Sequence, residues 1–299
     1  MHARQRFRTA VASAVAVLLC AGTLSGCDAA PPGAAAPSRS ASPKPRPTPV
    51  WDRSPASVAA VGDSITRAFD ACGILTDCPE ASWATGTDAA VDSLALRLLG
   101  PERLAGHSWN LARSGARMEE LPEQMAQAGA RAPELVAVMM GANDACRESP
   151  ERMTPVEEFR SSFEAALARL RKTAPKAQVY VSSVPDLKRL WSTGRTNPVG
   201  RQVWKLGICA SMLADAEDLG AAAERRRATV QDRVVAYNAV LKEVCAKDPR
   251  CRYDGGAVFA FRFDEAQLSP WDWFHPSRDG QARLAEIAHR RVTAEAPPA

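Results

Sequence analysis

After Leu24 the sequence has no apolar run long enough to cross a bilayer. It also has no internal repeat. Histidine is scarce, with four in 299 residues. The cysteine spacings do not match a zinc site, and the histidines lie far from the close cysteine pairs. An excess of one charge is missing as well. The formal net charge of +4 comes from Arg4, Arg6, Arg8, Arg39, Lys44 and Arg46 near the amino end, and from Trp51 onward 32 basic residues face 33 acidic ones. So neutral a body gives no electrostatic case for nucleic acid. Residue composition is otherwise ordinary for a globular protein, with 46% hydrophobic and 24% charged residues.

The amino end has a basic start and an apolar stretch from Thr9 to about Leu24, the layout of a secretory signal. Leu24-Ser25-Gly26-Cys27 resembles the bacterial lipobox, in which the cysteine receives a diacylglycerol and cleavage falls just before it. Residues 1–26 are therefore expected to be a lipoprotein signal peptide. Residues 27–50 are expected to be the lipidated Cys27 and a disordered tether rich in Pro, Ala and Ser. Residues 51–299 are expected to be the catalytic domain. The resulting location is extracytoplasmic, on the outward face of a bacterial cell membrane, where each buried methylene of the anchor adds about 0.8 kcal/mol. Export gives the six remaining cysteines a meaning, since an even number outside the cell predicts three disulfides. Fifteen pairings are open; the shortest loops give Cys72–Cys78 and Cys245–Cys251, leaving Cys146 with Cys209.

The body alternates strands and helices. Strands are expected at about Ser57–Val61, Trp109–Ala112, Leu135–Met140, Gln178–Val184 and Tyr253–Phe259. Helices are expected from Ile65, over Asp88–Leu99, Met118–Ala130, from a capping box at Thr154–Glu157 to Pro175, over Arg225–Ala246 and over Ser277–Val292. Between Asp186 and Ala223 no strand pattern exists. There Trp204, Ile208 and Met212 would line one side of a short helix, facing the core or walling a pocket. This alternation predicts one α/β domain, a three-layer α/β/α sandwich on a parallel, flavodoxin-like sheet, with the Gly- and Asp-rich turns at one edge.

Val58-Ala59-Ala60-Val61-Gly62-Asp63-Ser64 is an apolar strand that stops at a turn, and it places Ser64 at that edge. A serine there can act as a nucleophile, with the amino end of a following helix favouring negative charge beside it. Asp272 stands three residues before His275, close enough to accept the imidazole N–H and fix the tautomer. His2 falls in the leader, His107 in a loop and His289 beside Arg290 and Arg291 on an expected solvated face, so His275 is the best candidate base.

Four blocks now stand in order: Gly62-Asp63-Ser64-Ile65, Asn110-Leu111-Ala112-Arg113-Ser114-Gly115, Gly141-Ala142-Asn143-Asp144 and Asp272-Trp273-Phe274-His275-Pro276. Together they resemble the SGNH hydrolase superfamily, the GDSL-type esterases and lipases, with Ile65 where Leu is usual. The resemblance implies a Ser64/His275/Asp272 triad and an oxyanion hole made by the backbone N–H of Ser64, the backbone N–H of Gly115 and the Asn143 amide. It gives Asp63, Asn110 and Asp144 a bracing role. It implies no metal or organic cofactor and a small-molecule or lipid ester as substrate, while the chain is expected to be a monomer that meets the membrane through the lipidated Cys27. Ser82-Trp83-Ala84-Thr85-Gly86 resembles a stretch of phospholipase-B-like members, which points to lipid esters. Two rivals remain on the same scaffold: a carbohydrate O-acetyl esterase and a non-catalytic ligand-binding lipoprotein.

Overall fold

The computed structural model describes residues 50–297. The leader, Cys27 and nearly all of the tether lie outside them. Five strands form one sheet: β1 Val58–Gly62, β2 Ser108–Asn110, β3 Leu135–Met139, β4 Gln178–Val181 and β5 Cys251–Tyr253. All are parallel in the order β2-β1-β3-β4-β5. This is the flavodoxin-like order, with the chain reversing its direction of growth at β1. Every residue of β1, β3 and β4 is buried, as it must be in a parallel sheet covered on both faces.

Ten α-helices are described: α1 Leu94–Leu99, α2 Leu121–Ala130, α3 Ala142–Ala145, α4 Val156–Thr173, α5 Leu187–Gly194, α6 Pro198–Trp204, α7 Ala210–Leu213, α8 Ala221–Ala246, α9 Ala257–Ala260 and α10 Arg278–Thr293. One layer is α2, α4 and α8, with Phe159 of α4 stacked on Tyr237 of α8 at 4.1 Å. The other pairs α1 with α10. The α4 stripe of Phe159, Phe163, Leu167 and Leu170 is buried, as its spacing requires. Cysteines 72 and 78, 146 and 209, and 245 and 251 are bonded.

Several local expectations fail, each for a visible reason. No helix follows Ser64. Ala68 (φ 51°) and Asp70 (φ 57°) take left-handed conformations, and the segment is a run of turns. Half of the helix expected over Asp88–Leu99 is missing, because Asp92 (φ 51°) turns the chain and the Ser93 hydroxyl then caps α1 by accepting from the Leu96 N–H. The Thr154–Glu157 capping box does not form; Pro155 is the N-cap. Thr154 is held elsewhere, its N–H on the Asp144 carbonyl and its own carbonyl taking hydrogen bonds from Arg233 and Tyr237. The last strand stops at Tyr253, where the Asp254 carboxylate accepts from Gly256 and Val258 and starts α9 instead. Trp204, Ile208 and Met212 do not share one helix. Gly207 (φ 96°) and Cys209 (φ 47°) break the chain, so Trp204 and Met212 go to the core and Ile208 faces a cleft.

Candidate active site

The first three motif blocks leave the sheet at its carboxyl edge, after β1, β2 and β3. Gly62 ends β1 with φ 148° and its α-carbon faces the Met139 carbonyl, where a Cβ would lie 2.2 Å from the oxygen. Only glycine lets β1 and β3 approach so closely just before the turn. Ser64 follows, 8% exposed. Gly115 sits at φ 81° with open space where a Cβ would point. Asn143 lies in the first turn of α3, and its Nδ2 donates to the Ala116 carbonyl at 3.0 Å. A primary amide has two N–H bonds, so one remains after that anchor. Among the described residues the backbone N–H groups of Ser64 and Gly115 donate to no protein acceptor. Both residues and Asn143 line one cleft of about 280 Å³ with Phe69, Ser114, Cys146, Ile208, Cys209, Phe274 and His275.

His275 arrives from a loop between β5 and α10. Its Nε2 is 2.8 Å from Ser64 Oγ, and its Nδ1 is 2.5 Å from Asp272 Oδ2. Asp272 Oδ1 accepts from the backbone N–H of Phe274 and of His275. Burial works against charge on Asp272, but the His275 ring and these two N–H donors outweigh it and hold the carboxyl below its ordinary value. The loop is closed by Ser269 N–H on the His275 carbonyl, by Trp273 N–H on the Ser269 carbonyl and by Trp204 Nε1 on the Asp272 carbonyl. Phe69 and Phe274 lie against the His275 ring at 5.1 and 5.0 Å.

The other histidines stand apart. His107 is in an exposed loop. His289 is half-buried rather than solvated, and burial beside Arg97 pulls its pKa down.

Three motif residues brace the turns. Asn110 donates to the Thr66 carbonyl and Ser82 Oγ, and accepts from Ala112. Asp63 Oδ1 accepts from Ile65 N–H; burial raises this carboxyl to about 7. Asp144 Oδ2 accepts from Met118 N–H, and burial raises it to about 6. The Ser82–Gly86 stretch is structural too. Trp83 is fully buried with Nε1 on Thr66 Oγ1, Ser82 Oγ donates to the Thr66 carbonyl, and neither residue lines the cleft. Its resemblance to a lipid-hydrolysing stretch therefore gives no substrate contact.

Sequence reasoning left Ile208 between core and pocket wall, and it missed the aromatic walls of the cleft and one acid. Phe69 and Phe274 carry no signal beyond hydrophobicity. The Cys146–Cys209 bond is itself a wall, because Cys146 directly follows α3. Asp70, in the turns after Ser64, comes up behind Asp272.

What this edge can do chemically is acyl transfer: a hydroxyl on an imidazole, a carboxylate behind it, and unspent N–H donors beside it. A model of the GDSL-like lipase/acylhydrolase family matches residues 58–288. No curated protein matches the chain. Among solved structures the chain is similar to one described as a GDSL-like lipase from Parabacteroides merdae, 17% identical over 82% of this chain and 99% of that one, TM-score 0.49. Phospholipase A1 from Streptomyces albidoflavus is 20% identical over 80% of this chain and 100% of that one, TM-score 0.47. A family 3 carbohydrate esterase from Clostridium thermocellum is 14% identical over 77% of this chain and 92% of that one, TM-score 0.46. With the family match spanning all four motif blocks, this chain belongs to the GDSL-like lipase/acylhydrolase family and is an ester hydrolase.

Proposed function

We propose that the protein is an exported, lipid-anchored serine hydrolase of fatty-acyl esters that works through an acyl-enzyme. The observation that carries this is the unbroken chain Ser64 Oγ–His275 Nε2–Asp272 Oδ2, at 2.8 and 2.5 Å, opening on a cleft with apolar walls. In this reading His275 Nε2 takes the Ser64 proton as Oγ bonds to the ester carbonyl carbon. Asp272 steadies the imidazolium through the Nδ1 proton. The oxygen that gains the electron pair faces the N–H groups of Ser64 and Gly115 and the remaining N–H of Asn143. When the pair returns, the alcohol leaves with the proton from Nε2. Water then repeats the sequence on the acyl-enzyme and the free acid departs.

Phe69, Ile208 and Phe274 favour an acyl chain over a polyhydroxylated group in the cleft. A separate apolar recess, lined by Leu187, Leu190, Phe261, Phe263 and Phe274 among others, encloses only about 30 Å³. The cleft that Ser64 and His275 themselves line, at about 280 Å³, is the larger space for the chain.

The test is a fluorophosphonate probe with peptide mapping, followed by a graded series of p-nitrophenyl esters beside phospholipids and acetylated xylan. Labelling of Ser64, its loss in Ser64→Ala and a preference for acyl chains longer than acetyl are expected. No labelling would leave the ligand-binding rival, and cleavage of acetylated xylan alone would replace the lipid reading with the carbohydrate one. The anchor part rests on Leu24–Cys27. Cys27→Ser should leave the precursor uncleaved and unlabelled by a fatty-acid probe; unchanged labelling would remove it, and with it the division into signal, tether and catalytic domain at residues 26 and 50.

A further inference from the structure

Asp70 is 1% exposed, and its Oδ1 has no hydrogen-bond partner among the described residues. A buried carboxyl oxygen without a donor is costly, and it calls for an explanation. The neighbours supply one. An oxygen of Asp70, an oxygen of Asp272 and a ring nitrogen of His275 all lie within 4.8 Å of one another.

The backbone fixes this meeting. Asp70 N–H donates to the Thr76 carbonyl, and the Asp70 carbonyl accepts from Ser269 Oγ at 2.8 Å. The first bond ties Asp70 to the loop closed by Cys72–Cys78, the second to the loop of Asp272. Its left-handed φ of 57° is thus held from both sides.

Two buried carboxyls this close oppose each other's ionisation, so one of the pair holds its proton to higher pH than a free carboxyl does. Asp272 is the ionised member, since it accepts from the His275 ring and two backbone N–H groups. Burial and the charge of Asp272 push the Asp70 carboxyl up. The charged groups acting on Asp70 are Asp272 and His275; the Arg67–Asp77 ion pair lies in its own loop, and Asp63 acts on His275 from the nucleophile turn.

We propose that Asp70 is a positioning residue for the triad: in its protonated form it donates a hydrogen bond to Asp272 and so limits how strongly Asp272 pulls on the Nδ1 proton of His275. No bond other than this hydrogen bond is made, and the proton stays on Asp70 through the reaction. Without the donor, Asp272 concentrates its charge on the imidazolium. His275 then remains protonated to higher pH and is a free base for a smaller fraction of the enzyme at a given pH. The inference rests on the proposed triad.

The experiment compares wild type, Asp70→Leu and Asp70→Asn by the pH profile of kcat/KM on a short activated ester, the NMR titration of His275, and circular dichroism. Leu removes the donor; Asn keeps an N–H donor without a titrating group. The acid limb and the His275 titration should move up by about one unit in Asp70→Leu, which is roughly a tenfold loss of kcat/KM on that limb. Both should stay within about 0.3 unit of wild type in Asp70→Asn, a rescue that a packing role alone would not tie to the His275 titration. An Asp70→Leu limb at or below the wild-type position overturns the proposal, as does an Asn variant that shifts as far as Leu. If neither variant folds, Asp70 is a folding residue and the proposal fails as well. A wild-type protein that neither hydrolyses the ester nor labels at Ser64 fails the functional reading instead, and the His275 titration then still decides the Asp70 contact.

Discussion

The two segments that meet at the Ser64–His275 hydrogen bond are built in opposite ways. Ser64 comes straight off β1, an inner strand of the sheet, one residue after Asp63 and two after Gly62, whose backbone is fixed by register with Met139 on β3. His275 comes from a stretch between α9 and α10 that contains no regular strand and only one short 3₁₀ turn, Glu265–Gln267. That stretch is held by cross-ties: Trp204 Nε1 to the Asp272 carbonyl, Ser269 Oγ to the Asp70 carbonyl, and an antiparallel bridge between Leu268 and Pro276. One side inherits its position from the ladder; the other is assembled from contacts between distant parts of the chain. Damage to the first should appear as lost folding or lost chemistry, and damage to the second as a misplaced base in a folded protein.

The largest expected effect tests the second side. Asp272→Asn should leave a folded protein whose kcat falls by roughly 10⁴, because an amide at that place favours the wrong imidazole tautomer. Steady-state hydrolysis of an activated ester measures it, and a fall of less than tenfold would mean that the cross-tied loop does not serve His275 as argued. Next comes the sheet side. Asn143→Ala should lower kcat by roughly 10²–10³, about 3–4 kcal/mol, with KM little changed, since the donor is aimed at the oxyanion. A folded variant keeping more than about a third of wild-type kcat would remove Asn143 from the oxyanion hole.

A third prediction concerns stability on the sheet side. The buried Asp63 carboxyl is raised to about 7. A carboxyl raised in the folded state binds its proton more tightly there than in the unfolded chain. Its contribution to stability is therefore full below about pH 4 and is lost as pH rises through about 7. Asp63→Asn should flatten that decline, adding on the order of 2–4 kcal/mol at pH 8 relative to pH 4. Urea unfolding at both pH values reads it, and parallel curves for the two proteins would count against a neutral Asp63. The smallest effect returns to the loop. Trp204→Phe removes one buried hydrogen bond to the Asp272 carbonyl. It should cost about 1–2 kcal/mol of stability and lower kcat a few-fold; an unchanged kcat with reduced stability would show that the other ties suffice to hold the base.

The same contrast explains what could be read in advance. The first four strands were legible to within a few residues, because apolar runs such as β1, β3 and β4 must be buried on both faces, whereas β5 shares only Tyr253 with the strand expected there. Long helices such as α4 and α8 were legible from their stripes. The segments misjudged were those where a single left-handed residue or a side-chain tie overrides propensity: Ala68 and Asp70 after Ser64, Asp92 before α1, Asp254 after β5. At the site, the blocks containing Ser64, Gly115, Asn143, Asp272 and His275 could each be placed at a turn, since turn chemistry acts between neighbours.

By itself, the sequence determined the order of strands and helices, the residue types at the carboxyl edge and the family that those blocks mark. These follow from periodicity and from contacts a few residues apart. Only the tertiary structure decided that Asp70 stands behind Asp272, that Phe69 and Ile208 wall the cleft while Trp83 is buried away from its lining, and that Asn143 spends one N–H on Ala116. Ser64 and His275 are separated by 211 positions, and Asp70 and Ser269 by 199. Contacts at that separation exist only after the layers have packed. Their geometry is set by left-handed turns and cross-ties whose stability comes from the completed fold and leaves no local pattern in the chain.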